Sequence, residues 1–215
     1  AVYALATRVW GRRSDHLGRR RVILIGLAGY TVGTLVFTSL FWLGFETVLR
    51  GLMLWTALIV ARCLQSSVMA GTMPAASAYI SDITHAGNRT VGIARLGAAN
   101  STGTILGPAL GGLLAGISLL APLHSAAGMT FISFVLIRCF LPDSPRSEGK
   151  GSHGPSRKLD YRDVRYRHFL LIAAAMLTAF SVVQQTLGFY FQDALHLSSQ
   201  QAARQVGFAL MGAAT

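Results

Sequence analysis

The chain has 215 residues, 52% of them hydrophobic and only 13% charged, with 19 Lys and Arg against 8 Asp and Glu. A soluble domain carries about 25% charged residues spread over its surface; here the charges are collected between long apolar runs, which excludes a soluble globular domain. It also excludes a nucleic-acid reader, despite the net charge of +11, because basic residues confined to connections between apolar spans present no continuous basic face.

Ala1–Val9 reads as the tail of an apolar span, followed by the basic stretch Gly11–Arg21. Val22–Phe45 then runs for 24 residues without a charge, beyond the ~18 that mark a membrane-crossing helix. Complete spans are predicted at 22–43, 51–78, 95–115, 119–141 and 168–190. The third and fourth come from Leu96–Ile137, 42 residues without Lys, Arg, Asp or Glu, about two bilayer thicknesses of helix. The break between them falls at Gly116–Pro122. Pro142–Arg167, with Pro142, Pro145 and Pro155 among Ser, Gly and basic residues, reads as a linker that tethers two helical bundles. Val206–Thr215 opens a later span. The expected organisation is therefore a first bundle over 1–141, a linker over 142–167 and the start of a second bundle over 168–215. The fold class is an all-α membrane protein with five full transmembrane helices and two stubs, and the chain is expected to be a fragment.

Arginine and lysine placement orients the spans. One set of alternate connections holds Arg8, Arg12, Arg13, Arg19, Arg20 and Arg21, then Arg89 and Arg95, then Arg138, Arg146, Lys150, Arg157, Lys158, Arg162, Arg165 and Arg167. These are 16 of the 19 basic residues, which puts that set in the cytoplasm. Arg50 and Arg204 lie on the other side, and Arg62 falls inside a span.

Several residues carry more than topology. Gly11 and Gly18 permit a tight turn between helices, and Asp15, the lone acid among six arginines, calls for a salt bridge or a helix-terminus contact. Arg62, about a third of the way into its span, costs about 3 kcal/mol on insertion and is expected to face the bundle interior or water. Gln65, Ser66, Met69 and Thr72 continue one helix face from it; a structural arginine bonded to carbonyls is the competing reading. Gly103, Gly107 and Gly111 recur every four residues and allow close helix approach, and Pro108 frees a carbonyl and bends the helix. Ser181, Gln184, Gln185, Gly188 and Gln192 form a polar stripe on the last full span. Gln184 and Gln185 are candidate substrate contacts, with interhelical hydrogen bonding as the alternative. Phe180, Phe189, Tyr190 and Phe191 are candidates for an aromatic wall or for the interfacial belt. Cys63 and Cys139 and six scattered histidines offer no metal spacing and no disulfide framework, so no metal or cofactor is expected.

Gly11-x3-Asp15-x2-Gly18-Arg19-Arg20 resembles the loop between the second and third helices of the major facilitator superfamily. Arg62-Cys63-Leu64-Gln65 resembles the Arg motif of its fourth helix. Ala78-Tyr79-Ile80-Ser81-Asp82-Ile83-Thr84 resembles the end of that helix in tetracycline and related drug/proton antiporters. Gly103-x3-Gly107-Pro108-x2-Gly111-Gly112 resembles the fifth-helix antiporter motif, although the family's glycine nine residues before Gly103 is Ala94 here. The resemblance runs over essentially the whole chain, from the end of helix 2 to the start of helix 8 of a twelve-helix fold. It implies a multi-pass protein of the inner membrane, not an enzyme, that exports drugs or other amphiphilic small molecules in exchange for protons by alternating access, expected to be monomeric. A proton-coupled importer of a sugar, organic acid or other metabolite is the alternative on the same fold. It also implies a cytoplasmic gate at Asp15, Arg19 and Arg20, with an Arg19–Asp82 pair holding the outward-facing state, and coupling to protons or substrate through Arg62 and Gln65. No carboxylate lies in the middle of any visible span, so the proton carrier of such a mechanism is not among these residues.

Overall fold

The computed structural model describes residues 2–142 and 164–196, together with 198, 201, 202, 205–207, 209 and 212. Among the described residues the bounded α-helices are, in chain order, α1 (Val2–Leu17), α2 (Arg19–Phe45), α3 (Gly51–Met69), α4 (Thr72–Ile83), α5 (Arg89–Ala115), α6 (Ala121–Phe140) and α7 (Val164–Ala194), with a short 3-10 turn at Ala86–Asn88. No strand occurs among the described residues. A helix satisfies its own backbone donors and acceptors, which is the requirement for crossing hydrocarbon.

Most helix bounds fall within a few residues of the predicted spans, and three departures have physical causes. The span expected at 51–78 is two helices, α3 and α4, separated at Ala70–Gly71. Pro74 sits in the first turn of α4, where its missing N–H is tolerated but would have interrupted a continuous ladder. Together they still form one apolar stretch of 33 residues. The basic stretch after Val9 stays helical to Leu17, so Gly11 lies inside α1 rather than in a turn. The chain turns at Gly18 alone, whose φ of 90° lies where side chains are disfavoured. Lastly, four segments are long and apolar enough to cross a membrane among the described residues: Arg19–Phe45, Gly51–Ile83, Ala121–Phe140 and Leu171–Ala194. The expected span 95–115 is helical throughout but falls short in apolarity, because glycines and Asn100, Ser101, Thr102 and Thr104 replace large aliphatic side chains. The predicted linker lies outside the described residues over 143–163.

By their contacts the residues divide into two units, Ala1–Gly103 with Leu120–Ser147, and Thr104–Leu119 with Glu148–Thr215. In the first unit α2 packs against α3, α4 and α6, and α1 packs against α2, α3 and α4. Its core is Val22, Ile23, Ala75 and Tyr79, flanked by Trp10, Leu27, Ala76, Ile137 and Leu141. Gly26, Gly29 and Gly33 line the side of α2 that meets α3 and α4: a Cβ at Gly29 would collide with Val68, and one at Gly33 would lie 2.8 Å from Gln65 Cγ. Small residues of this kind let helices approach where lipid supplies no hydrophobic drive. Large apolar side chains such as Val32, Val36, Leu52, Trp55, Ile59, Phe131, Ile132 and Leu136 point outward and exposed. A surface so apolar is untenable in water and suits a hydrocarbon surround.

In the second unit Ala109, Gly112 and Ala115 of α5 are buried. Gly207 rests on this surface: a Cβ there would lie 2.5 Å from the Pro108 carbonyl oxygen and 3.1 Å from Gly112 Cα.

The α3–α4 break is closed by a side chain from α1. Trp10 Nε1 donates to the Ser67 carbonyl at 2.7 Å, in the last turn of α3. Trp10→Phe keeps an aromatic ring against the core but leaves that carbonyl without its donor. It is expected to lower stability by about 1–3 kcal/mol, read as a reduced melting temperature in detergent; an unchanged melting temperature would show that the indole N–H contributes nothing.

Candidate functional site

Two polar clusters stand out in the first unit. The first surrounds the Gly18 turn. Arg19 opens α2, and its Nε lies 3.3 Å from Asp82 Oδ2 near the end of α4. Its Nη1 donates to Ser14 Oγ at 2.7 Å, and Ser14 Oγ donates to the Gly11 carbonyl at 2.9 Å. Ser14 is buried, whereas the pair is partly open, with side chains 22% and 31% exposed for Arg19 and Asp82. Arg20 Nη2 donates to the Arg138 carbonyl at 2.7 Å, in the last turn of α6, where a cation is favoured. Tyr79 donates to the Pro142 carbonyl at 3.1 Å, so α2 and α4 each hold the exit of α6. Gly11, Arg19 and Asp82 are thus joined in one network beside the Gly18 turn, while Arg20 reaches the end of α6; the Asp15 side chain lies outside the described residues.

The second cluster is inside the Gly51–Ile83 span. Arg62 Nη1 donates to Gln65 Oε1 at 3.2 Å, and its guanidinium carbon stands 3.9 Å from the centroid of the Phe37 ring. Gln65 is 5% exposed and turned into the α2 interface, where its Nε2 donates to Thr34 Oγ1 at 2.7 Å and to the Tyr30 carbonyl at 3.4 Å. Thr34 Oγ1 in turn donates to the Tyr30 carbonyl at 2.8 Å. Every polar atom of the buried amide is therefore matched, as burial demands. Thr72, on the same predicted face as Gln65, points its hydroxyl against Gly26.

Gly33, Thr34 and Phe37 were not singled out by the sequence, although a signal exists: Thr31, Thr34 and Thr38 share one face of an apolar run, and all three are buried. Gly26, Gly29 and Gly33 repeat at small-residue spacing.

The fifth-helix residues separate in the structure. Pro108 and Gly112 meet Gly207, while no described residue lies within 4 Å of a Cβ placed at Gly103, Gly107 or Gly111. On α7, Gln185 is exposed beside Thr178, Ser181 and Thr186 along a shallow open depression. The Gln184 side chain lies outside the described residues, as does that of Phe180. Tyr190 and Phe191 hold their rings 6.2 Å apart.

A helical chain with apolar outward faces, an arginine within a span and a basic turn tied to the next helix end can be compared with known proteins. The class G tetracycline resistance protein of Vibrio anguillarum is 34% identical over 188 residues, 86% of this chain and 44% of the relative. The class C tetracycline resistance protein of Escherichia coli is 32% identical over 193 residues, with the same shares of each. Multidrug resistance protein 2 of Bacillus subtilis is 31% identical over 134 residues, 62% of this chain and 30% of the relative. The chain thus spans less than half the length of these relatives. The Major Facilitator Superfamily profile matches residues 1–215, so its entire length belongs to that superfamily of membrane transporters.

Proposed function

We propose that the whole protein is a proton-coupled exporter of amphiphilic small molecules, working by alternating access around a midplane site. The observation that carries the transport reading is Arg62, a guanidinium inside an apolar span held by Gln65 and Phe37. An ionisable group at such depth is costly and marks an ion or substrate pathway. The choice of drug export rests on the tetracycline resistance relatives, which align over 86% of the chain. In this reading residues 1–141 belong to one bundle, 142–167 form the cytoplasmic linker and 168–215 begin the second bundle, all in the inner membrane of a monomer. Asp15, Arg19, Arg20 and Asp82 with Gly11 and Gly18 form the cytoplasmic gate; Arg62 and Gln65 couple protons or substrate. Gly103, Gly107, Pro108, Gly111 and Gly112 shape the antiporter helix, and Gln184 and Gln185 contact the substrate.

The test is drug accumulation in everted membrane vesicles. Vesicles carrying the protein should take up tetracycline when their interior is acidified and release it when a protonophore is added. Uptake no greater than in vesicles lacking the protein overturns the exporter. Proton-driven accumulation of a sugar or organic acid in right-side-out vesicles would favour the importer instead.

A further inference from the structure

We propose that Thr34 and Phe37 of α2 are positioning residues for Arg62, holding its guanidinium so that its remaining N–H groups meet an anionic oxygen during transport. This rests on the transporter reading above and names two residues that reading does not use. The hydrogen bonds run in one direction: Arg62 donates to the Gln65 carbonyl oxygen, the Gln65 amide donates to Thr34 Oγ1, and the Thr34 hydroxyl donates to the Tyr30 carbonyl. Gln65 has its oxygen left for Arg62 because Thr34 Oγ1 and the Tyr30 carbonyl take its N–H groups.

Gly33, next to Thr34, supplies the room for this. A Cβ there would lie 2.8–2.9 Å from Gln65 Cγ and Cβ, on the stem of a buried side chain that cannot step aside. Phe37, one turn after Gly33, is itself buried and offers its ring face to the guanidinium, an arrangement favoured by the ring quadrupole. A guanidinium has five N–H donors in a fixed plane, and among the described residues one of them, on Nη1, is matched to an acceptor. With one edge bonded and one face against Phe37, the free edge has a defined direction and suits the planar oxygens of a carboxylate. The partner is either a protein carboxylate carrying the coupling proton or an anionic oxygen of the substrate.

The decisive comparison is Thr34→Val against Thr34→Ser in the whole protein, reconstituted in proteoliposomes with tetracycline as the probe. Serine keeps the hydroxyl acceptor; valine keeps the shape and loses it. If the partner is the proton-carrying carboxylate, Thr34→Val moves the midpoint of the transport pH profile up by about one unit, because a misaligned cation no longer holds that carboxylate's pKa down. If the partner belongs to the substrate, Thr34→Val raises KM about tenfold with the profile in place. In both cases Thr34→Ser matches wild type and Phe37→Leu behaves like Thr34→Val. Valine and serine variants with the same pH profile and the same KM overturn the proposal. A wild-type protein without proton-dependent flux sinks the exporter reading instead. The positioning is then judged by a melting cycle of Thr34→Val with Arg62→Met: additive shifts in melting temperature overturn it, and non-additive shifts support it.

Discussion

Arg62→Lys is expected to reduce proton-driven flux roughly ten- to hundredfold while the protein still inserts and folds. Lysine keeps the charge, and the two residues cost a similar ~3 kcal/mol at the centre of a span, so insertion is not what the substitution changes. What it changes is geometry. An ammonium is a compact point charge on a flexible stem. It cannot lie flat against the Phe37 ring, which stands 3.9 Å from the guanidinium carbon, while also offering a planar pair of donors beside Gln65. It also releases its proton far more readily than arginine when desolvated, which would blur a coupling step that needs a permanent charge. The check is flux in proteoliposomes under an imposed pH gradient, beside exchange of labelled for unlabelled drug without a gradient. Loss of gradient-driven flux with exchange retained places Arg62 in coupling; a variant with wild-type gradient-driven flux would remove Arg62 from the mechanism.

The elements of this fold were legible because a bilayer imposes a coarse rule. An uncharged run such as Val22–Phe45 has to be helical, and α2 covers it with three residues to spare at its start. The rule is blind to breaks inside a span. Gly71 and Pro74 were visible as residues, but nothing local states that a helix ends at Met69 and another begins at Thr72. Pro74 removes one bond of the ladder there, but Pro108 does the same inside an unbroken α5; at the break between α3 and α4, Trp10, 57 positions from Ser67, supplies a donor to the Ser67 carbonyl. The small-residue signal also pointed to Gly103, Gly107 and Gly111 of α5, where an added Cβ meets no described residue, whereas Gly26, Gly29 and Gly33 of α2 lie directly against α3 and α4. Spacing marks a helix as capable of close approach without naming the face or the partner.

The Arg62 cluster was half legible for a related reason. An arginine in an apolar span announces itself by cost, and Gln65 one turn later follows from helical periodicity. Thr34 does not, because each of Thr31, Thr34 and Thr38 can satisfy its hydroxyl on the carbonyl four residues back, and each does so. A threonine in that state is silent in sequence. Only the approach of α3 across 31 positions turns the lone pairs of Thr34 into the acceptor for Gln65.

Reversing the Arg19–Asp82 pair is expected to separate gating from stability. With the two side chains 22% and 31% exposed, the pair contributes no more than about 1 kcal/mol to the folded state, so Asp82→Asn should insert and melt close to wild type. Arg19→Asp goes further, because it places two carboxylates where a 3.3 Å ion pair stood and also removes the donor to buried Ser14 Oγ. Transport should fall about tenfold or more in either single variant if the pair holds one conformation against another, since alternating access depends on a difference of a few kcal/mol between states. Adding Asp82→Arg to Arg19→Asp restores opposite charges at the turn. Recovery will be partial, because a carboxylate at position 19 cannot donate to Ser14. The measurement is drug flux with melting temperature alongside. Low flux in Asp82→Asn with a small melting shift, together with partial recovery of flux from Arg19→Asp to the double variant, would identify the pair as a latch between states. Equal flux in all of them would reduce these residues to setting topology, which the surrounding arginines already do.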